Sequence, residues 1–70
     1  MKDLTDVLSH NLRSRRKAKG MTQAALANRI GVTFQAVSKW ETGRSAPDVF
    51  LLPILASVLD CPIDALFLAS

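Results

Sequence analysis

Apolar residues recur along the first part of the chain at the three- and four-residue intervals of an amphipathic helix. Leu8 and Leu12 lie on this stripe, which passes into a run of basic residues. Asp3 or Thr5 can cap the start of such a helix, and Gly20 can end it by adopting a left-handed conformation. The pattern therefore predicts a first helix over most of the first 19 residues.

Two shorter helices are predicted in the middle of the chain. Thr22 can cap the second helix, whose apolar stripe stops at Gly31. Thr33 can cap the third helix, which continues to about Thr42. A turn of about three residues separates them.

The last third of the chain is apolar and predicts two more helices. A connector rich in turn-forming residues precedes a fourth helix at about residues 51–59, with Pro53 in its first turn, where proline is tolerated. A short fifth helix starts at Asp60 and Pro62, with an apolar face formed by Ile63, Leu66 and Phe67. The whole pattern predicts an all-α fold of five helices.

The length of the chain limits what else it can contain. A chain of 70 residues forms one domain over residues 1–70 and buries only about 60% of its unfolded surface. Little room is left for a substrate pocket beside the core. Neither paired carboxylates, an activated nucleophile nor a glycine-rich phosphate loop is evident, so we expect neither an enzyme nor a cofactor.

Cysteine and histidine are too few for a structural metal site. Cys61 and His10 are each the single residue of their type, whereas a structural zinc ion needs four ligands. We therefore expect no metal.

No feature of the sequence predicts a membrane protein. No basic leader followed by a long apolar run opens the chain, which favours a cytoplasmic location. The apolar stretch at residues 49–59 is too short to span a bilayer, so we interpret it as a buried helix.

Charge is distributed unevenly along the chain. Residues 1–20 carry six basic and two acidic residues, residues 21–44 carry three and one, and residues 45–70 carry three acidic residues alone. The first two thirds of the chain are therefore basic. This charge favours binding to a polyanion such as nucleic acid, although a run of basic residues can also form a helix face exposed only to solvent.

The second and third helices meet the demands of a helix-turn-helix motif, which spans roughly residues 22–41. Ala27 is small where the two helices approach closest, and Gly31 adopts a positive φ easily. Val32 and Val37 anchor the turn and the third helix on the core. In this motif one helix braces the other so that it can enter the major groove of DNA.

In these residues the chain resembles the lambda-repressor, Cro and XRE-like family of helix-turn-helix DNA-binding proteins. The resemblance covers roughly residues 8–67. It rests on residues 20–23, 26–27, 30–33, 37–41, 43, 47–48, 51–53, 55–56, 59, 63–64 and 66. It implies a lambda-repressor-like domain that binds double-stranded DNA and regulates transcription, with a recognition helix at about residues 34–41.

The resemblance also implies a role for individual residues. Gln23 and Arg44 match positions that contact phosphates, and Gln35 and Lys39 lie on the outer face of the third helix. Gln35 can bind adenine through two hydrogen bonds, whereas Lys39 can reach a guanine or a phosphate. The residues expected to contact DNA are Gln23, Thr33, Phe34, Gln35, Ser38, Lys39 and Arg44.

Other matched positions have structural roles. Arg16 and Glu41 match an ion pair that ties the first helix to the end of the third, and Trp40 is expected in or near the core. The chain departs from the family at Arg15, where many relatives have leucine. It departs again at Phe34, where the usual residue is polar. The phenyl ring of Phe34 can pack on a thymine methyl, or it can be exposed or form a dimer contact.

Apolar residues in the fourth and fifth helices outnumber what a small core needs, so we expect a homodimer through these helices. They are Phe50, Leu51, Ile54, Leu55, Val58 and Phe67. The alternative function is an antitoxin-like or adaptor module that binds protein with the same fold.

Overall fold

The computed structural model describes residues 3–69, which form four α-helices and two 3₁₀ segments. The α-helices are α1 (Leu4–Ala18), α2 (Gln23–Ile30), α3 (Phe34–Glu41) and α4 (Leu52–Val58). A 3₁₀ turn (Val49–Leu51) leads into α4, and a 3₁₀ helix (Ile63–Phe67) follows it. The predicted all-α class is confirmed.

Side chains cap the first three helices at the positions that the sequence indicates. Asp3, Thr22 and Thr33 each accept a hydrogen bond from the backbone N–H three residues later, at 2.9, 3.0 and 3.1 Å. Each bond satisfies a donor that has no partner within its helix. Of the two caps proposed for α1, the structure uses Asp3.

The predicted fifth α-helix is a 3₁₀ helix, so the count of five α-helices is wrong. The segment from Ile63 to Phe67 has only five residues and follows Pro62, whose backbone is extended (ψ 153°). Five residues barely exceed one α-helical turn, and tighter 3₁₀ bonding is common in such short pieces. Leu66 is fully buried, but Ile63 is 42% exposed, so the expected apolar face is only partly used.

The core lies between the helices and draws on all of them. α2 packs against α3 and α4, and α1 packs against α3 and the C-terminal 3₁₀ helix. The buried apolar residues are Leu8, Leu12, Leu26, Ala27, Ile30, Val37, Trp40, Leu55, Ala56, Leu59 and Leu66.

Asn11 fastens the C-terminal 3₁₀ helix to α1. Its side-chain Nδ2 donates to the carbonyl oxygens of Leu66 and Leu68, both at 2.9 Å, and lies 3.4 Å from that of Ala65. The residue is 7% exposed, so these bonds satisfy an amide that water barely reaches. Asn11 is not among the residues predicted from the sequence, although a polar residue beside Leu12 on an apolar stripe is a recognisable signal of a buried hydrogen bond.

A buried ion pair joins α1 to the end of α3. Arg16 Nε donates to Glu41 Oε2 at 2.7 Å, and Arg16 Nη2 donates to Glu41 Oε1 at 2.9 Å. Arg16 Nη1 also donates to the Met21 carbonyl at 2.7 Å. The hydrogen bonds to Glu41 raise the pKa of Arg16 above its ordinary value; burial opposes the rise, and the Glu41 charge adds to it.

The turn that follows α4 places Asp60 in a conformation that residues other than glycine seldom adopt. The backbone N–H groups of Asp60 and Cys61 bond the carbonyls of Ser57 and Ala56 at 3.2 and 2.9 Å, which closes the helix. This closure requires the left-handed region, and Asp60 has φ +60°. Its carboxylate also lies at the negative end of the helix dipole.

Replacing Arg16 by methionine should destabilise the domain strongly, because Glu41 would remain buried without its cation. The expected loss is about 3–5 kcal/mol, comparable with the whole stability of so small a domain. The double variant Arg16→Met, Glu41→Leu should recover most of it, because no charge stays buried. Urea unfolding followed by circular dichroism measures both. An Arg16→Met variant whose free energy of unfolding lies within about 1 kcal/mol of the native value would contradict the expectation.

Replacing Asp60 by glycine should stabilise the chain by about 0.5–1 kcal/mol. Glycine adopts the left-handed conformation without strain, and the change removes a negative charge from the end of α4. The exposed contact from Lys19 Nζ to Asp60 Oδ2 is 3.6 Å long, so its loss should cost little. Gly43→Ala is the matched opposite change, because Gly43 has φ +76°. The midpoint temperature of thermal unfolding should rise for Asp60→Gly and fall for Gly43→Ala.

Candidate nucleic-acid interface

The turn between α2 and α3 depends on one glycine. Gly31 has φ +77°, and the N–H of Val32 bonds the Ala27 carbonyl at 3.0 Å. A Cβ at Gly31 would meet no atom within 4 Å, so the requirement is for the backbone conformation and not for space. Ala27 itself is 3% exposed, and α2 and α3 pack closely against each other. The three residues of the turn set the direction of α3.

One side of α3 is buried and the opposite side faces solvent. Val37, Trp40 and Glu41 are 1%, 6% and 8% exposed and hold the helix to the core. Gln35 and Lys39 are exposed and lie four residues apart, so they share a face. Their amide and ammonium groups can both form hydrogen bonds to the edges of bases.

The remaining α3 candidates border this face. Phe34 is half exposed, Thr33 is exposed and Ser38 is half-buried. The Thr33 hydroxyl oxygen already accepts from the Ala36 N–H, so its hydroxyl hydrogen remains to donate outward. We call Thr33, Phe34, Gln35, Ser38 and Lys39 the α3 face.

Gln23, at the start of α2, is hydrogen-bonded to the buried ion pair. It is the first residue of α2 and half-buried, and its Nε2 donates to Glu41 Oε1 at 3.1 Å. An amide nitrogen carries two hydrogens, so one remains for a second acceptor. The backbone N–H groups of the first residues of α2 have no carbonyl partner within the helix. This end of α2 can therefore bind an anion.

Arg44 is held beside the end of α3 by its own backbone. Its N–H bonds the Lys39 carbonyl at 3.0 Å, and the N–H of Gly43 bonds the Trp40 carbonyl at 3.4 Å. The Arg44 side chain is exposed. An exposed cation thus lies three residues beyond the end of α3.

Residues 3–69 contain no group of three His, Cys, Asp or Glu residues arranged to hold a metal ion. Within the same range, no helix is both long enough and apolar enough to cross a membrane.

Comparison with known proteins places the chain in a family. Residues 12–66 match the model of a helix-turn-helix family. A curated relative is an uncharacterized transcriptional regulator in the ATPase CF(0) region of Rhodospirillum rubrum, 40% identical over 60 residues, which cover 86% of the chain and 56% of that protein. The chain spans about half the length of the curated relatives it matches first.

Solved structures share the fold. The P22 c2 repressor in complex with a synthetic operator has a TM-score of 0.83 and is 33% identical, over 90% of this chain and 96% of that one. Hydroxypropylphosphonic acid epoxidase from S. wedmorenis has a TM-score of 0.86 and is 32% identical, over 97% of this chain but only 36% of that one.

The family match includes α2, the turn at Gly31, α3 and α4, and it extends into the C-terminal 3₁₀ helix. The predicted family is thereby confirmed: the chain belongs to the helix-turn-helix family, among its lambda-repressor and XRE-like members.

Proposed function

We propose that this chain is a sequence-specific DNA-binding transcriptional regulator, or the DNA-binding domain of one, and that it has no catalytic activity. The observation that carries the proposal is the α3 face, whose polar side chains point away from the core. Curated relatives named as transcriptional regulators support it, as does the similar repressor bound to an operator. In this proposal α3 lies in the major groove of double-stranded DNA.

Gln35 and Lys39 are the proposed base contacts. Gln35 can accept from adenine N6 and donate to adenine N7, a pairing that distinguishes adenine from the other bases. Lys39 donates to a guanine or to a phosphate. Thr33 and Ser38 add hydroxyl groups at the edges of the same face.

Gln23 and Arg44 are the proposed phosphate contacts, one on each side of the α3 face along the chain. Gln23 donates its second amide hydrogen while the start of α2 adds backbone N–H groups. Arg44 adds a full positive charge. Such contacts fix the position of a protein on DNA and make its affinity fall with salt.

The proposal includes a single domain over residues 1–70 and a cytoplasmic location. The helices of residues 3–69 share one core, which supports the first. Relatives in bacteria, where DNA lies in the cytoplasm, support the second.

We also propose that the chain forms a homodimer, in which a second copy binds the exposed apolar residues at the start of α4. Val49, Phe50 and Ile54 are 64%, 83% and 45% exposed, and with the exposed Pro53 they form what we call the α4 patch. Of the residues predicted to pair, Leu55 belongs to the core, and Leu51, Val58 and Phe67 pack partly against it. A dimer would place two α3 faces on half-sites about 34 Å apart.

The alternative function is an antitoxin-like or adaptor module that binds another protein. The same fold forms about a third of an epoxidase chain, so the fold alone does not distinguish the two functions. Selection of bound duplexes from a random pool separates the two functions. DNA recognition requires enrichment of a common half-site, and a pool that stays random would contradict it.

Gln35→Ala should weaken binding to the selected operator by about 1–3 kcal/mol and relax specificity at one base pair. Binding to unrelated DNA should hardly change, since this rests on phosphate contacts. Fluorescence anisotropy at fixed salt measures both affinities. Asn28→Ala removes an exposed amide of α2 outside the α3 face and is the matched control. If Gln35→Ala left both the affinity for the operator and the affinity for unrelated DNA unchanged, the base contact would be refuted.

Phe50→Asp should weaken self-association at least about tenfold, because it removes a ring that a dimer would bury and puts a charge in its place. Sedimentation equilibrium over a concentration series measures the effect. Leu4→Asp changes a similarly exposed apolar residue on α1 and should leave the association constant unaltered. A native chain that stays monomeric at millimolar concentration would overturn the dimer.

A further inference from the structure

Phe34 is an aromatic residue on an otherwise polar surface. It is the first residue of α3, and half of its surface is exposed. The neighbouring members of the α3 face, Thr33, Gln35 and Ser38, are all polar. The other large exposed apolar residues of the described chain lie outside the helix-turn-helix, at Leu4, Val49, Phe50, Ile54, Ile63 and Leu68.

The surroundings of Phe34 define what can cover it. A protein partner would have to bury the polar groups on either side of the ring as well, and buried polar groups without partners are costly. A small apolar group set among hydrogen-bonding groups fits better. The major groove offers such a group, because the C5-methyl of thymine lies between the donors and acceptors of the base edges.

The position of Phe34 in α3 also favours a base contact. In helix-turn-helix complexes the N-terminal residues of the second helix are those that contact base edges. The Thr33 side chain caps this end at 3.1 Å, so the first turn is well defined. A phenyl ring has neither donor nor acceptor, and it therefore distinguishes bases only through apolar contact.

We infer that Phe34 packs against the C5-methyl of a thymine, close to the base that the adjacent residue Gln35 contacts. This inference rests on the proposed function and specifies the sequence that the α3 face selects. The half-site then contains a thymine at a position where hydrogen bonding contributes nothing to the choice.

Replacing each thymine of the selected operator by deoxyuridine, one at a time, tests the inference. Deoxyuridine keeps the hydrogen-bonding groups of thymine and lacks only the methyl. At one position the native chain should bind the thymine duplex about fourfold more tightly than the uracil duplex, the effect of burying one methyl-sized group. Phe34→Ala should bind the two duplexes equally.

Two further variants make the test specific. Phe34→Leu keeps an apolar contact and should retain part of the thymine preference. Leu4→Ala truncates an exposed apolar residue of α1 that belongs to neither the α3 face nor the α4 patch, and it should keep the full fourfold ratio. Circular dichroism checks that each variant is folded.

The outcomes separate this inference from the proposed function. Sequence-specific binding with no uracil-sensitive position, or with the same sensitivity in Phe34→Ala, overturns the thymine contact and leaves the DNA-binding function standing. Altered self-association in Phe34→Ala without thymine dependence assigns the ring to a protein contact instead. If the native chain selects no DNA sequence, both proposals fail.

Discussion

The carboxylate of Glu41 is the point on which the arrangement of the first three helices depends. Its two oxygens accept hydrogen bonds from Arg16 on α1 and from Gln23 on α2, while Glu41 itself is the last residue of α3. Bonds of this kind are directional as well as strong, because the guanidinium group donates two parallel hydrogens. These bonds fix the end of α3 relative to α1 and α2, in addition to the apolar contacts of the shared core.

The bonds of Glu41 at the C-terminal end of α3 contribute to its stability, because α3 is too short to be stable by itself. Eight residues make about two turns, and isolated helices of this length hardly form in water. α3 is therefore held by its buried side, by the Thr33 cap and by the turn at Gly31. These contacts lie on the core side and at the ends of α3, whereas Gln35 and Lys39 on its outer face are exposed.

Local signals in the sequence predicted most of the fold and the candidate site. Caps and left-handed glycines act within a few residues, so the limits of α2 and α3 and the exposure of Gln35 and Lys39 could be anticipated. The conformation of residues 63–67 could not, because apolar spacing over five residues does not distinguish an α-helix from a 3₁₀ helix. The bonds of Asn11 to the chain end and of Gln23 to Glu41 join residues distant in sequence, and single-sequence patterns do not contain such pairings.

The separation of the two sides of α3 has an evolutionary consequence. If Gln35 and Lys39 make the proposed base contacts, mutations at these positions change which DNA sequence is bound. They leave the folding equilibrium nearly untouched, since both side chains are exposed and contribute little to packing. Paralogues arising by gene duplication can then acquire new targets through one or two substitutions each, without compensating changes elsewhere. Conversely, the same freedom means that two descendants with identical cores need not share any target.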